Sequence, residues 1–174
     1  MGIDENSLPF IGEYRYSVDT KGRFSVPAKF REILSREHSP ELVLKKGTDR
    51  CLFLLPISTW RIHRARLDRN RVQTTPKGRF FARSYMRGGD LQQPDSQGRI
   101  QLNKDLRDHA QITDSVVVFG NDRVIEVWAP EVFDHYMAGG EHPGFSFDDE
   151  FEKYFGSEED GQGQEQSGHG RETD

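Results

Sequence analysis

Two short segments of the chain each place an aspartate, a glycine and an arginine within five residues. The two sets are Asp19, Gly22 and Arg23 and, 76 positions later, Asp95, Gly98 and Arg99. An aspartate at the head of a turn can accept backbone N–H bonds, and glycine supplies the positive φ that such a turn requires. The carboxylate is also close enough to orient the arginine, and an oriented guanidinium makes forked hydrogen bonds to phosphate or guanine. Each set is therefore a candidate nucleic-acid contact.

Five side chains are predicted to bind DNA at these turns. They are Arg15, Lys21, Arg23, Gln97 and Arg99. Gln97 stands where the first turn has Lys21, so the second tip is less cationic. A single copy of such a turn is more simply explained as a hairpin with a structural ion pair. Two copies in matching surroundings favour a role in DNA binding.

The surroundings of the two turns repeat as well. Residues 19–32 (DTKGRFSVPAKFRE) match residues 95–108 (DSQGRIQLNKDLRD), and residues 47–54 match residues 120–127 at a spacing of 73. A fixed internal repeat indicates a duplicated structural unit. We expect two copies of a strand–turn–strand–helix–hairpin unit, which complete one another by pairing within or between chains.

The elements of this unit follow from local signals. Strands are expected at residues 12–18 and 23–26, and Pro27 suits the first turn of a helix that buries Phe30, Ile33 and Leu34. Asn103 replaces Pro27 in the second copy and can act as an N-cap. Hairpins are expected from residues 42–44 with 51–55 and from 116–119 with 124–128, each followed by a proline that opens a helix.

Charge is distributed unevenly along the chain. Residues 11–130 carry 22 Lys and Arg against 14 Asp and Glu, whereas residues 131–174 carry 2 against 13. Residues 60–87, predicted to be helical with a break near Pro76, carry nine basic residues and one acid. A cationic body with an acidic tail is typical of nucleic-acid binders, although a solubilising tail on an ordinary domain explains the charge equally well.

The acidic tail contains an aromatic segment. Phe145, Phe147, Phe151, Tyr154 and Phe155 alternate with carboxylates. We expect a helix that docks its aromatic face on the body of the protein or on a neighbour. The alternative is an acidic segment that covers basic loops and competes with DNA. Residues 156–174 have the composition of a disordered tail.

Signals for other classes of protein are weak. The six histidines are scattered without an HExxH motif, and the sequence has neither a Cys-x-x-Cys pair nor a nucleophile elbow. The single cysteine, Cys51, begins an apolar run and is expected in the core. The sequence therefore predicts no enzyme activity, cofactor, metal or small-molecule substrate. The amino end has no signal-peptide pattern, and we expect a cytoplasmic, nucleoid-associated protein.

Several motifs together resemble the MraZ family of bacterial transcriptional regulators. Residues 10–32 match the pattern FxGEYxxxxDxKGRxSxPAKFRE, and GTDRCLFLLPISTW and RFFARSYMRGGDLQQPDSQGRI resemble later family segments. The likeness covers about residues 10–136. It implies an α+β, β-rich fold of two tandem SpoVT–AbrB-like swapped-hairpin units with pseudo-two-fold symmetry, capped by helices. It also implies a homo-oligomer, a closed ring, that binds short direct repeats in double-stranded DNA and represses the division and cell-wall gene cluster containing its own gene.

The predicted organisation divides the chain into six parts. These are an N-terminal extension (1–10), a first unit (11–58), an Arg-rich helical connector (59–87), a second unit (88–131), C-terminal helical segments (132–155) and the acidic tail (156–174). Two other functions stay open on the sequence alone. One is an antitoxin-type DNA-binding autoregulator, and the other is a ring-forming scaffold with no role in nucleic-acid binding.

Overall fold

A computed structural model describes residues 8–36, 40–140, 142–144 and 146–155 of the chain. The strands are β1 (Phe10–Ser17), β2 (Arg23–Ser25), β3 (Leu42–Lys46), β4 (Leu52–Pro56), β5 (Asp90–Gln92), β6 (Arg99–Gln101), β7 (Ser115–Asp122) and β8 (Val124–Trp128). The helices are α1 (Ala28–Arg36), α2 (Ile57–Arg69), α3 (Pro76–Met86), α4 (Lys104–Ala110), α5 (Pro130–Met137) and α6 (Phe147–Phe155). The order of elements confirms the duplicated unit predicted from the repeat.

Six strands form one sheet in the order β1-β7-β8-β4-β3-β5, with antiparallel pairing throughout. The first strand of each unit leaves its own hairpin: β1 pairs with β7 of the second unit, and β5 pairs with β3 of the first. The two hairpins meet in the middle, where β4 pairs with β8. This exchange, symmetric about the β4–β8 pair, confirms the α+β, swapped-hairpin fold.

The returning strands of the two units form a second, two-stranded sheet. Phe24 of β2 lies opposite Ile100 of β6. The pairing extends beyond the strands, because Val26 N–H donates to the Gly98 carbonyl at 2.9 Å and Leu102 N–H donates to the Gly22 carbonyl at 2.8 Å. The two turns that precede these strands are therefore held side by side.

The six-stranded sheet is covered on both faces. On one face, Leu44, Leu54, Val118 and Val127 join the largest buried cluster, which includes side chains of α1, α4 and the small sheet. On the opposite face, α5 packs beside β7, and α2 packs beside β3 and β4. The protein is thus built in layers that have the large sheet at their centre.

Cys51 lies in the smaller cluster on the second face, with Val117, Trp128 and Phe133. Burial raises the pKa of its thiol, and the nearby carboxylates of Glu126 and Asp49 add to this effect. A thiol with a raised pKa stays protonated and unreactive at neutral pH. The prediction of a core cysteine is confirmed.

The two units differ most in their first strands, since β5 has three residues and β1 has eight. Pro94 follows β5 closely, and proline cannot donate a hydrogen bond to a sheet ladder. The Gln92 side chain instead exchanges two hydrogen bonds with the backbone of Gln101, at 2.7 and 3.0 Å. The second unit therefore contributes a short edge strand.

The helical connector divides as predicted from its sequence. After α2, a short 3-10 turn at Val72–Thr74 leads into α3, which has Pro76 in its first turn. The Thr75 hydroxyl caps α3 by accepting a hydrogen bond from Gly78 N–H at 3.0 Å. No helix in the described ranges is long and apolar enough to span a bilayer.

The N-cap predicted at Asn103 is also confirmed. Its side-chain oxygen accepts a hydrogen bond from Leu106 N–H at 2.9 Å at the start of α4. We expect Asn103→Ala to lower the free energy of unfolding by about 1 kcal/mol, because the cap is lost. Urea denaturation measures this change. Asn103→Asp keeps an acceptor and should retain most of the stability, so equal losses in both variants would contradict the role of the cap.

The aromatic segment of the tail is helical, but it does not dock on its own chain. Phe147, Phe151, Tyr154 and Phe155 of α6 are all exposed, with Phe147 at 80%. The expectation that α6 packs on the body is therefore wrong for this chain alone. Docking on a neighbour stays a prediction. Phe145, residues 156–174 and most of the N-terminal extension lie outside the described residues.

Candidate nucleic-acid interface

The first turn is closed by the side chain of Asp19. One carboxylate oxygen accepts hydrogen bonds from the backbone N–H groups of Lys21 and Arg23, both at 2.9 Å. The other oxygen accepts from Arg23 Nε at 2.8 Å and lies 2.7 Å from its Nη2. Gly22 has φ of +76°, which glycine adopts without strain. A single carboxylate thus fixes both the loop and the guanidinium.

The second turn has the same geometry. Asp95 accepts from the backbone N–H groups of Gln97 and Arg99 at 2.9 Å, and its other oxygen binds Arg99 Nε and Nη2 at 3.0 and 2.9 Å. Gly98 has φ of +75°. Asp95 thus closes the second turn in the same way as Asp19 closes the first.

The four charged groups form one cluster across the pseudo-two-fold axis. Arg23 Nη1 lies 3.9 Å from Asp95, and Arg99 Nη1 lies 3.9 Å from Asp19. The arginine side chains are only 28% and 25% exposed. Two cations and two anions balance, so the cluster fixes the relative position of the turns without adding net charge.

These contacts lower the pKa of both carboxyl groups. The hydrogen bond from Arg99 N–H is the main cause for Asp95, whose pKa falls from 3.8 to about 2, and the Arg99 side chain adds to it. The hydrogen bond from Arg23 N–H is the main cause of the lowered pKa of Asp19. Both groups therefore remain anionic in mild acid.

The lowered pKa values make stability depend on pH in a defined window. Because folding lowers each pKa, the stabilisation is fully present above the unfolded value near 3.8 and is lost as pH falls towards about 2. We expect the free energy of unfolding to fall between about pH 4 and pH 2, and Asp95→Asn to remove part of that slope. Urea unfolding at several acidic pH values measures the slope, and an unchanged slope in Asp95→Asn would contradict the assignment.

The predicted tip residues Lys21 and Gln97 lie at equivalent, exposed places in the two turns. The Lys21 carbonyl accepts a hydrogen bond from Gln101 Nε2 at 2.9 Å, which ties the first turn to the second unit. No carboxylate in the described part of the chain pairs with the Lys21 amine at ion-pair distance. Lys21 therefore supplies uncompensated positive charge at the tip.

Two further arginines, Arg31 and Arg107, lie behind the turns. A Cβ atom built on Gly98 would lie 2.6 Å from Arg31 Nε, and one built on Gly22 would lie 3.6 Å from Arg107 Nε. Each arginine thus supports the turn of the other unit, and neither forms an ion pair among the described residues. Neither arginine was predicted from the sequence to act at the turns, although the two occupy matching positions in the repeats.

The structure does not bring Arg15 to the turns. Its guanidinium binds Asp134 of α5 at 2.6 and 3.2 Å and Glu13 at 3.1 Å. Hydrogen bonds from Arg15 are the main cause of the lowered pKa of Asp134. Arg15 therefore attaches α5 to β1, and its contact with DNA stays a prediction.

The interlocked sheet and the two joined turns define a tandem pair of SpoVT–AbrB-type swapped-hairpin units. The model of the MraZ family, described as "MraZ protein, putative antitoxin-like", matches the chain twice, over residues 10–81 and 86–158. The chain belongs to the MraZ family.

The residues that the structure describes contain no group of three His, Cys, Asp or Glu side chains that could hold a metal ion.

Curated relatives agree with this family. The chain is 36% identical over 132 residues to the "Transcriptional regulator MraZ" of Natranaerobius thermophilus, which covers 76% of this chain and 89% of the relative. Proteins with the same name in Alkaliphilus oremlandii and Alkaliphilus metalliredigens are 39% and 37% identical over 127 residues, covering 73% of this chain and 85% of each relative. The similarity thus extends over most of both sequences.

Proposed function

We propose that this protein is a sequence-specific transcriptional regulator that binds double-stranded DNA through its two joined turns. The observation that carries the proposal is the Asp19–Arg23–Asp95–Arg99 cluster, which presents two turns of the same geometry side by side. The name of the relatives, transcriptional regulator, supports the same function.

The way each aspartate holds its arginine leaves donors for a ligand. Asp19 occupies the edge of the Arg23 guanidinium formed by Nε and Nη2, while Nη1 has only a 3.9 Å contact with Asp95. The end formed by Nη1 and Nη2 can therefore donate a fork to guanine O6 and N7 or to a phosphate. Arg99 is held in the same way by Asp95. Both arginines would bind DNA with little further loss of side-chain freedom.

The uncompensated cations near the turns suit the phosphate backbone. Lys21 lies at the first tip, and Arg31 and Arg107 lie against the glycines of the two turns. Since the ion-pair cluster is itself neutral, these three cations would supply electrostatic attraction that does not depend on sequence. The fixed arginines would then supply the base contacts. Phosphate attraction by the unpaired cations and base contacts by the fixed arginines would together account for a site that has both ordered ion pairs and uncompensated positive charge.

The proposed operator is a set of short direct repeats upstream of the gene for this protein, in a division and cell-wall gene cluster that the protein represses. A closed homo-oligomeric ring would present several pairs of turns to successive repeats. Tethered contacts bind more tightly together than separately, because each later contact forms at a high effective concentration. The predicted oligomer therefore fits a site whose single contacts are weak.

A gel-shift titration tests this function directly. The full chain should retain a DNA fragment that carries the upstream repeats at moderate salt, and it should not retain a scrambled fragment of the same composition. Light scattering at micromolar concentration should report a homo-oligomer. Equal retention of both fragments would overturn sequence-specific binding, and retention of neither would favour the scaffold.

The family description gives specific support to a second candidate, an antitoxin-type autoregulator. In that case the protein would also bind DNA, and its C-terminal segment would neutralise a toxin. Expressing the chain without residues 147–174 in its natural genetic background distinguishes the two. An antitoxin that lost this segment would leave the cell poisoned, whereas a regulator would only change transcription.

A further inference from the structure

Most of the large apolar side chains exposed in the described ranges fall into two groups. The first group lies on α6 and consists of Phe147, Phe151, Tyr154 and Phe155. The second lies on α3 and the adjoining edge of the sheet and consists of Phe80, Phe81, Met86 and Leu91. Exposed large apolar side chains that are grouped in this way are a mark of protein interaction sites.

The two groups have opposite charge. Residues 60–87, which contain α3, carry nine basic residues and a single acid, Asp68. The α6 helix carries Asp148, Asp149, Glu150 and Glu152 and one lysine, which is paired with Glu150 at 3.0 Å. An anionic helix with an aromatic face therefore matches a cationic surface with exposed aromatic rings.

The aromatic residues of α6 form a continuous stripe. Phe147, Phe151 and Phe155 follow one another at intervals of four, with ring centroids 5.8 and 5.2 Å apart. On a helical projection, Asp148 and Glu152 flank one edge of this stripe, whereas Asp149 lies on the opposite side of the helix. Amphipathic helices with this pattern bind by laying their apolar face into a groove.

A groove lies beside the second group. A cavity of about 250 Å³ opens between α2, α3 and β5, and Lys45, Trp60, Tyr85, Met86 and Leu91 are among its lining residues. An engineered apolar cavity of about 150 Å³ holds a benzene molecule, so this volume can accept a phenylalanine ring.

Lys45 gives the groove a buried cation, while Asp90 is the one carboxylate among its lining residues. Its side chain is 2% exposed, and its amine lies 3.0 Å from the centre of the Tyr85 ring. Among the described residues no carboxylate lies within ion-pair distance of this amine. A carboxylate brought by the partner would compensate the buried charge.

The α6 helix does not lie in this groove in its own chain, since its aromatic side chains are exposed and none of them lines the cavity. After α5 the chain folds back, with Gly140 N–H bound to the His135 carbonyl at 3.0 Å and the His142 ring 5.7 Å from that of Tyr136. From residue 142 to the first residue of α6 the chain makes five residue steps, which span at most about 18 Å. The groove lies at the β5 edge of the sheet, four strand positions or roughly 19 Å from β7, beside which α5 packs, so α6 could reach it in its own chain only with a fully extended tether.

We propose that α6 of one copy docks in the groove of a second copy, with its aromatic stripe on α3 and a carboxylate directed towards Lys45. The contact is heterologous, since α6 and the groove are different surfaces, and repetition around a rotation axis closes a ring. The inference rests on the homo-oligomer of the proposed function and identifies the surfaces that would build it.

Cross-linking between differently tagged copies tests the contact. Two copies that carry tags of different mass are mixed, and one of them has a photoreactive phenylalanine analogue at position 151. This analogue should cross-link to α3 or β5 of the copy that carries the other tag. Phe151→Ser should raise the protein concentration needed for assembly about tenfold or more, as expected for an aromatic residue at the centre of an interface. Asp148→Lys should weaken assembly, and Asp149→Lys is the matched control because it makes the same charge change on the far side of the helix.

The outcomes separate this inference from the proposed function. A cross-link within one chain, a cross-link to another surface, or unchanged assembly in Phe151→Ser would each overturn docking in the groove. Gel shifts on a fragment with a single repeat report DNA binding independently of assembly. If Phe151→Ser keeps single-repeat binding while losing assembly, both the inference and the DNA-binding function are supported.

Discussion

Replacing Arg23 with alanine is expected to abolish binding to the operator and to leave the assembly intact. The substitution removes a fork that Asp19 holds in place, and it leaves that carboxylate with only the 3.9 Å contact to Arg99 as an ion pair, at a surface proposed to bind phosphates. One lost bidentate contact corresponds to about 1–3 kcal/mol, or roughly fivefold to 150-fold in affinity, and the loss recurs in every subunit bound to a repeat. Gel-shift titration of the variant measures the effect.

The equivalent substitution in the second turn gives a graded comparison. Arg99→Ala should weaken binding less than Arg23→Ala, because Gln97 makes the second tip less cationic than the first. Arg36→Ala is the matched control, since it removes an exposed arginine that pairs with Glu32 on α1, away from the turns. Undiminished binding by Arg23→Ala would remove this residue from the interface, even if the rest of the protein still bound DNA.

The structure of each turn could be predicted because its information is local. Asp19, Gly22 and Arg23 lie within five residues, and their geometry depends on contacts that such a short segment can make by itself. Capping at Asn103 and Thr75 is local in the same sense, although only the first was predicted. Because residues 19–32 and 95–108 are repeats, the structure predicted for the first turn could also be predicted for the second.

Contacts between distant segments could not be predicted in the same way. The pairing of β1 with β7 and the ion pair of Arg15 with Asp134 join residues about a hundred positions apart. Sequence periodicity shows which face of a strand is apolar, but it does not show which strand lies beside it. The role expected for Arg15 followed from its place before the first turn, whereas its structural partner comes from α5.

For Lys45 and Arg31, the exchange of strands between the two units creates contacts that the sequence around each residue does not indicate. Lys45 lies in the apolar strand β3, and only the return of α3 places Tyr85 against its amine. Arg31 belongs to the first unit by sequence but lies against the Gly98 turn of the second. Both environments depend on the way in which the two units interlock, which no short segment encodes.

The same interlocking predicts that equivalent glycines tolerate substitution differently. A Cβ atom on Gly22 would lie 2.9 Å from the carbonyl oxygen of Leu102, which is backbone in the adjoining strand pair. A Cβ atom on Gly98 would instead meet the Arg31 side chain at 2.6 Å, and that side chain can move away. Both positions have positive φ, so alanine costs about 1–2 kcal/mol at either one before any collision is counted.

We therefore expect Gly22→Ala to lower the free energy of unfolding by about 3–4 kcal/mol and Gly98→Ala by about 2–3 kcal/mol, because moving Arg31 off the Val26 carbonyl adds a smaller cost than moving backbone. Gly139→Ala is the control for φ alone, because its φ is +77° and the nearest atom to a new Cβ is 3.8 Å away. In a double-mutant cycle by urea denaturation, Arg31→Ala should relieve part of the cost of Gly98→Ala. Arg107→Ala should not relieve Gly22→Ala, because the obstacle there is the Leu102 carbonyl. Equal losses of the free energy of unfolding in Gly22→Ala and Gly98→Ala, with no coupling between Gly98 and Arg31, would contradict this explanation. Such a result would mean that the backbone at Leu102 moves as readily as the Arg31 side chain.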